Sequence, residues 1–325
     1  IYTTIKSGDQ EAAYKAVREG VLDYTRRAPY PGPEETIDLP AGVESDSNKL
    51  DGVLDSLQDK YTDSDDLLVG LVLSASPDKV VVARSSQEII DITNKNALKV
   101  IARGLVKNAK EDVKIQRGSV VYVHKNGDYW EIINKPTVQA AFVSIRPEDG
   151  AIQSMVGGFS YGDDQFNRVT AAWRQPGSSF KPFIYASTLE RGMTPATQVS
   201  DEPFTLTAEQ TGSKPWAPKN YGNSYEPMLT MRQGLYKSKN MVSIRLMQAV
   251  GPKYVQDYIT RFGFDRARNP AVLPLALGAG AVTPLQLAGG YSVFANGGYR
   301  VLPYLIDHIT DSSGKVIMQA KPITR

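Results

Sequence analysis

At Leu67 the apolar residues of this chain change from a helical to a strand-like repeat, and that switch calls for more than one folding unit. Upstream, Ala12, Ala13, Ala16, Val17 and Val21 predict an amphipathic helix from Asp9 to Arg26, which Pro29-Tyr30-Pro31-Gly32-Pro33 stops. Glu34 to Asp66 is acidic and poor in aromatics. It reads as an irregular connector with a solvated charged face and one short helix near Leu50 to Leu57. Beyond it, Leu68 to Ser74 and Lys79 to Ala83 are short β-type runs around a Ser76-Pro77-Asp78 turn. Ser119 to His124 and Tyr129 to Ile133 flank Lys125-Asn126-Gly127-Asp128, whose Asn-Gly pair signals a hairpin. Several short strands, with a helical or mixed segment Asn94 to Ala109 among them, predict a small inserted β-barrel.

A third region opens near Pro136. Ala140 to Ile145 and Ala151 to Val156 make a hairpin on Pro147-Glu148-Asp149-Gly150. Helical segments follow at Ser178 to Arg191, Thr230 to Lys237, Met241 to Val250, Lys253 to Phe262 and Pro284 to Ala295. The last has Thr283 as N-cap, Pro284 at its first position and Asn296-Gly297-Gly298 as its stop. A final hairpin, Leu302 to Thr310 and Lys315 to Ala320, turns on Asp311-Ser312-Ser313-Gly314. Strands at both ends with helices between predict an α+β domain whose sheet is closed by distant segments. The expected divisions are 1–66, 67–135 and 136–325, within a length that accommodates two domains.

Composition excludes several chemistries. The chain has no cysteine, which removes disulfides, thiolate metal sites and a cysteine nucleophile. Only His124 and His308 are available, so a histidine-rich metal site is not expected and a Ser-His-Asp triad has few bases to draw on. A net charge of +2 gives no bulk electrostatic reason to expect nucleic acid or an anionic membrane. No run of 18 or more apolar residues occurs. The opening Ile1-Tyr2-Thr3-Thr4-Ile5 has neither an initiator Met nor a signal-peptide pattern. It reads as cut from a longer protein, with any membrane anchor upstream.

The stretch richest in chemistry is Arg174-Gln175-Pro176-Gly177-Ser178-Ser179-Phe180-Lys181-Pro182. A Ser and a Lys three apart on a helix share one face. Pro176-Gly177 places Ser178 at the helix N-terminus, where the positive end of the dipole favours a forming alkoxide and disfavours a charged Lys181. A neutral amine beside a hydroxyl is a nucleophile and base without histidine. The bare pattern is weak, since three Ser-x-x-Lys occur, and Ser76/Lys79 and Ser312/Lys315 fall in expected turns. By itself Ser178/Lys181 also reads as an N-cap serine and a solvated lysine. Ser238-Lys239-Asn240 is the only Ser-x-Asn, between two expected helices. Its hydroxyl suits a proton relay and its amide a substrate peptide bond, while its plainer reading is a cap for the helix near Met241.

Together these segments resemble the penicillin-binding proteins, and specifically the class A, type 1A enzymes of Gram-negative bacteria. The likeness takes in Gly150-Ala151-Ile152 through Val156-Gly157-Gly158, Phe166-Asn167-Arg168 and Arg174 through Pro182. It continues through Trp216-Ala217-Pro218-Lys219-Asn220-Tyr221, Leu275-Ala276-Leu277-Gly278, Thr283-Pro284-Leu285-Gln286 and Phe294-Ala295-Asn296-Gly297-Gly298. It implies a penicillin-binding, β-lactamase-like transpeptidase domain with a small all-β OB-like insertion. The first residues resemble a linker after a glycosyltransferase domain.

The resemblance implies that Ser178 attacks the penultimate D-Ala carbonyl of a peptidoglycan stem peptide, Lys181 accepts its proton and Ser238 returns one to the leaving amine. Asn240 holds the substrate amide or a β-lactam side chain. An amine of a neighbouring stem then takes the acyl group, and β-lactams acylate Ser178 instead. The backbone N–H of Ser178 supplies half an oxyanion hole. No metal or organic cofactor is implied, and the location implied is the periplasmic face of the inner membrane, with the parent protein anchored there.

The family's third element, Lys-Thr-Gly, does not occur in the sequence. A shortened chain, a protein without the motif and proteolysis are three readings of this. The Arg325 terminus beyond an exposed hairpin favours proteolysis, with a C-terminal fragment of the same protein carrying Lys-Thr-Gly.

A β-lactamase or β-lactam-binding sensor shares the Ser/Lys logic, but the β insertion and linker-like start argue against both. A nucleic-acid-binding insertion would need a basic, aromatic strand face. Tyr122, His124, Tyr129 and Trp130 with Lys125 are a thin version of it, better read as barrel core and hairpin tip.

Overall fold

The Asn126-Gly127 turn forms as its composition predicts, with Gly127 at φ +64°, and joins strands Ser119–Asn126 and Tyr129–Ile132. The computed structural model describes residues 1–325, and they divide into two units. One comprises residues 14–140 and 158–165, the other residues 1–13, 141–157 and 166–325. No helix is long and apolar enough to cross a membrane.

In the first of these units the strands are antiparallel, in the order Glu35–Thr36, Ser119–Asn126, Leu68–Ser76, Lys79–Ser85, Glu88–Ile92. Alternation sends Val72, Val80, Val82, Ile90, Ile92, Val121 and Val123 into one core, closed by Leu98 and Ile101 from and beside the helix Lys95–Val100. Each such buried aliphatic side chain contributes about 1.5–3 kcal/mol.

The acidic stretch Glu34 to Asp66 is more ordered than its composition predicts. Glu35–Thr36 pairs with Val120 and Ser119, and Asp46 caps the helix Ser47–Lys60, which buries Leu50, Leu54 and Leu57. The short helix expected near Leu50 to Leu57 is present and extends over Ser47–Lys60, while the two paired residues Glu35–Thr36 are too few to show a period. The helix keeps only one leucine per turn.

Tyr122 and His124, which a polymer-binding face would expose, are both buried. His124 belongs to a polar network in this unit. Its Nδ1 lies 2.9 Å from Glu131 Oε2 and its Nε2 3.1 Å from Asp66 Oδ2. Arg26 donates to both Glu131 oxygens at 2.6 and 3.0 Å, and Arg18 donates to Asp66 Oδ1 at 2.8 Å.

The other unit carries the helices from Arg168 onward. Its core joins Phe180, Phe183 and Ile184 to Met241, Ile244 and Met247, and to Val255, Ile259, Phe262, Phe264, Leu275 and Ala276. Phe183 is central, with ring centroids of Phe262, Phe264, Tyr291 and Phe294 between 4.8 and 5.3 Å away. Such pairs contribute about 0.5–1.5 kcal/mol each beyond their area. The helix Pro284–Ala295 has the predicted bounds, with a reciprocal capping box between Thr283 and Gln286. Distant segments do close the sheet: Tyr2–Thr3 pairs with Ile306–Thr310, which pairs with Val316–Gln319. A parallel bridge between Ala151 and Tyr304 ties in the hairpin of Phe142–Ile145 and Ile152–Val156.

Candidate active site

A short backbone ladder sets up the turn before Ser178. Arg174 and Val282 exchange N–H···O bonds at 3.0 Å, and the Gly177 N–H donates to Gly278 O at 3.2 Å. Gly177 sits at φ +61° and Gly278 at φ +72°. A Cβ on Gly278 would fall 2.0 Å from the Gly177 carbonyl oxygen, so the approach requires glycine. The chain then enters a 3₁₀ turn, Gly177–Phe180, and passes into the α-helix Lys181–Glu190. Ser179 is tied down, donating to Pro176 O at 2.6 Å while its carbonyl accepts from Tyr291 Oη at 2.6 Å. Ser178 is exposed at the start of this turn.

Lys181, one turn on, is 1% exposed. Its Nζ donates to Ser238 O at 2.8 Å, Ser238 Oγ at 3.0 Å and Asn240 Oδ1 at 2.7 Å. All three N–H groups of an ammonium are thereby used by the Ser-x-Asn loop, and none by Ser178. Burial pushes the amine down to about 8. The sequence suggested the helix dipole as the cause of a lowered value; in the structure the cause is desolvation.

The loop that receives Lys181 follows the helix Met231–Tyr236. Ser238 sits at φ +53°, the left-handed position that ends many helices and is usually glycine or asparagine. The Ser238 and Lys239 N–H groups bond back to Leu235 O and Gly234 O at 3.0 and 2.9 Å. Asn240 then begins the helix Asn240–Val250. Its Oδ1 faces Lys181 and its Nδ2 donates to Lys219 O at 2.8 Å, which fixes the amide.

Ser178, Ser238 and Asn240 all line one cleft of about 790 Å³, with Lys181 buried and bonded to the latter two. The four residues singled out from sequence therefore come together. Ser76 and Lys79 instead close a turn, with the Lys79 N–H donating to Ser76 Oγ at 3.2 Å, and Ser312 and Lys315 lie in the Asp311 turn. Sequence reasoning missed Asp201, which is fully buried and accepts from Asn220 Nδ2 at 2.8 Å. It also gave no role to the cleft residues Tyr221 and Tyr225. Asp201 and Tyr225 carry no pattern, and Tyr221 was marked only as the end of the Trp216 to Tyr221 stretch in the resemblance, without a role.

Residues 140–325 match the penicillin binding protein transpeptidase domain, and residues 30–138 match the penicillin-binding protein OB-like domain. The chain is 41% identical over 323 residues to penicillin-binding protein 1A of Neisseria flavescens, covering 99% of this chain and 40% of that protein. It is 37% identical to penicillin-binding protein 1A of Pseudomonas aeruginosa, covering 99% of this chain and 39% of that one. The chain thus spans about 40% of the length of these curated relatives. Its structure is similar to the crystal structure of penicillin-binding protein 1A from Haemophilus influenzae, with TM-score 0.87 and 34% identity over 99% of this chain and 46% of that chain. Penicillin-binding protein A of M. tuberculosis, solved as an imipenem acyl-enzyme complex, shares the fold over 58% of this chain and 53% of its own at TM-score 0.51 and 22% identity. The transpeptidase match alone spans more than half of the sequence, and the relatedness runs through both units: the chain belongs to the penicillin-binding protein transpeptidase family.

Proposed function

We propose that this chain carries the peptidoglycan DD-transpeptidase activity of a bifunctional cell-wall enzyme, with Ser178 as its acylated nucleophile. The observation that carries the reading is Lys181: a buried amine, pushed down to about 8, bonded to Ser238 and Asn240 at the cleft that Ser178 lines. An amine of that basicity is neutral in about one molecule in eleven at pH 7, far more often than an exposed lysine, and suits general-base work.

In the proposed reaction the Ser178 Oγ–H proton passes to Lys181 as Oγ bonds to the penultimate D-Ala carbonyl carbon. The tetrahedral oxyanion accepts from the Ser178 backbone N–H. The C–N bond then breaks, and the terminal D-Ala nitrogen takes a proton from Lys181 through the Ser238 hydroxyl. An amine of a second stem attacks the acyl-enzyme, gives up a proton by the reverse route and releases Ser178. Water in place of that amine would give carboxypeptidase turnover. Asn240 bonds to the substrate amide, and a β-lactam acylates the same oxygen. The reading also needs a Lys-Thr-Gly-type element to bind the substrate carboxylate and supply a second oxyanion donor. None occurs in these residues, and a further segment of the same protein is the source we propose. The periplasmic face of the inner membrane follows from this substrate, as does an upstream glycosyltransferase from the relatives' type.

Fluorescent penicillin on the full-length polypeptide tests this, with wild type beside Ser178→Ala and Ser76→Ala and intact mass of the adduct. Label lost only in Ser178→Ala is the expected result. Label that survives Ser178→Ala refutes the nucleophile. Fast release of the hydrolysed drug would favour a β-lactamase-like reading instead.

A further inference from the structure

Lys239, the middle residue of Ser238-Lys239-Asn240, takes no part in the chemistry proposed above, yet its ammonium is drawn inward. Its Nζ lies 3.3 Å from Asp201 Oδ2, a carboxylate with no exposed surface, and donates to Ser224 O at 3.3 Å. Glu226 Oε2 is more distant, at 3.7 Å, and Glu226 already accepts from Lys237 at 2.8 Å. The Asp201 carboxylate also accepts from Asn220 Nδ2 at 2.8 Å and from the Glu226 N–H at 2.9 Å. Asn220 passes the tether on, since its Oδ1 accepts the Met241 N–H at 3.1 Å, immediately after the loop. Arg245 of the following helix donates to Ser200 O and Glu202 O, on either side of Asp201, at 2.9 and 2.7 Å.

Buried ion pairs are an inefficient source of stability, because desolvation of both charges offsets most of their attraction. A non-glycine residue in the left-handed region persists only where its surroundings over-determine it. Both features meet in three consecutive residues. Ser238 is the strained one, and it and Asn240 supply every acceptor around Lys181.

We propose that Asp201 and Lys239 are positioning residues whose buried ion pair, with Asn220, holds Ser238 and Asn240 in the strained turn that receives Lys181. The inference rests on the serine acylation proposed above. Neither residue touches the reacting atoms; the pair acts through the loop.

The test is the second-order rate constant for acylation by a fluorescent penicillin across pH. It is measured on the full-length polypeptide for wild type, Ser178→Ala, Asp201→Asn, Lys239→Met, Lys239→Arg and the Asp201→Asn/Lys239→Met double variant. Urea denaturation shows which variants are folded. Each charge-removing single variant is expected to lose roughly 10²-fold, the cost of misplacing a catalytic group by about 1 Å. Lys239→Arg, which keeps the cation, is expected to retain a rate close to wild type. The double variant should recover at least about tenfold over either single, because the two effects are coupled. The acid limb of the profile should move to lower pH in the singles, since acceptors that stabilise the Lys181 ammonium are withdrawn.

Folded single variants with wild-type rates and an unmoved limb overturn the proposal, as do additive losses without a limb shift. Should neither single variant fold, Lys239→Arg and the double variant, which leaves no buried charge unpaired, decide it: a near wild-type rate in Lys239→Arg with a loss of about tenfold in the double variant supports the pair, and a wild-type rate in the double variant or a full loss in Lys239→Arg refutes it. Wild type that is not acylated, or Ser178→Ala that is, overturns the catalytic reading itself rather than the clamp alone.

Discussion

Raising the pH from 7 to 9 is expected to accelerate acylation of Ser178 about tenfold, with a plateau above that range. The magnitude comes from Lys181, whose burial pushes it down to about 8. Only the neutral amine accepts the Ser178 proton. At pH 7 about one molecule in eleven has it, and at pH 9 about ten in eleven. An exposed lysine near 10.5 would instead give roughly a hundredfold rise over the same window and no plateau.

The assay is the second-order acylation constant with a fluorescent penicillin from pH 6.5 to 9.5, which reports the free enzyme, with Ser178→Ala as blank. A flat profile would remove Lys181 from the role of base. A climb without a plateau would mean that its burial does not lower it.

The same shift appears in stability. A lysine whose folded value lies below its unfolded one binds more protons unfolded, so stability rises with pH between about 8 and 10.5. At neutral pH the buried ammonium costs up to roughly 3 kcal/mol, and the cost is relieved as pH passes through that window. In Lys181→Met this component of the slope should vanish.

Ser238→Gly separates strain from chemistry. It relieves a left-handed conformation worth about 1 kcal/mol while removing the relay hydroxyl. Urea midpoints are expected to fall less than in Ser238→Ala, which loses the same bond to Lys181 but keeps the strain, while acylation falls about 10²–10⁴-fold in both; a midpoint at or below that of Ser238→Ala would contradict the account of the loop. Glu131→Ala leaves Arg26 and His124 without their shared carboxylate and should cost about 3–5 kcal/mol in urea denaturation. Burial alone would raise Glu131, but hydrogen bonds from His124 and Arg26 outweigh it and hold the carboxyl below its ordinary range. Its contribution is therefore present above the unfolded value and lost as pH falls through the folded one. The gap between wild type and variant should narrow on acidification.

The sequence made legible what depends on short-range signals. Thr283 and Pro284 began one helix and Asn296-Gly297-Gly298 ended it to the residue, Asn126-Gly127 marked a hairpin, and the three-residue spacing of Ser178 and Lys181 put both in one turn. What it hid depends on residues far apart in the chain. Strand Glu35–Thr36 exists because Ser119 and Val120, more than 80 residues on, lie beside it. The resemblance joins Lys181 to both Ser178 and Ser238; in the structure the ammonium bonds to Ser238 and, beyond that expectation, to Asn240. That outcome turns on the left-handed conformation of a serine, which no local pattern favours. Asp201 was invisible for the same reason: its significance is its burial beside Lys239.

The pairing of Tyr2–Thr3 with Ile306–Thr310 also sets a clock. About 300 residues separate these strands, so at about 5–20 residues per second the first waits roughly 15–60 s for its partner to emerge. The antiparallel sheet between Glu35 and Ile132 has all its strands within the first half of the chain, and its pairings can form early in that interval. The unit built around Phe183 thus closes after the sheet unit, and Tyr2–Thr3 spends that interval as an unpaired strand edge within reach of any other extended segment.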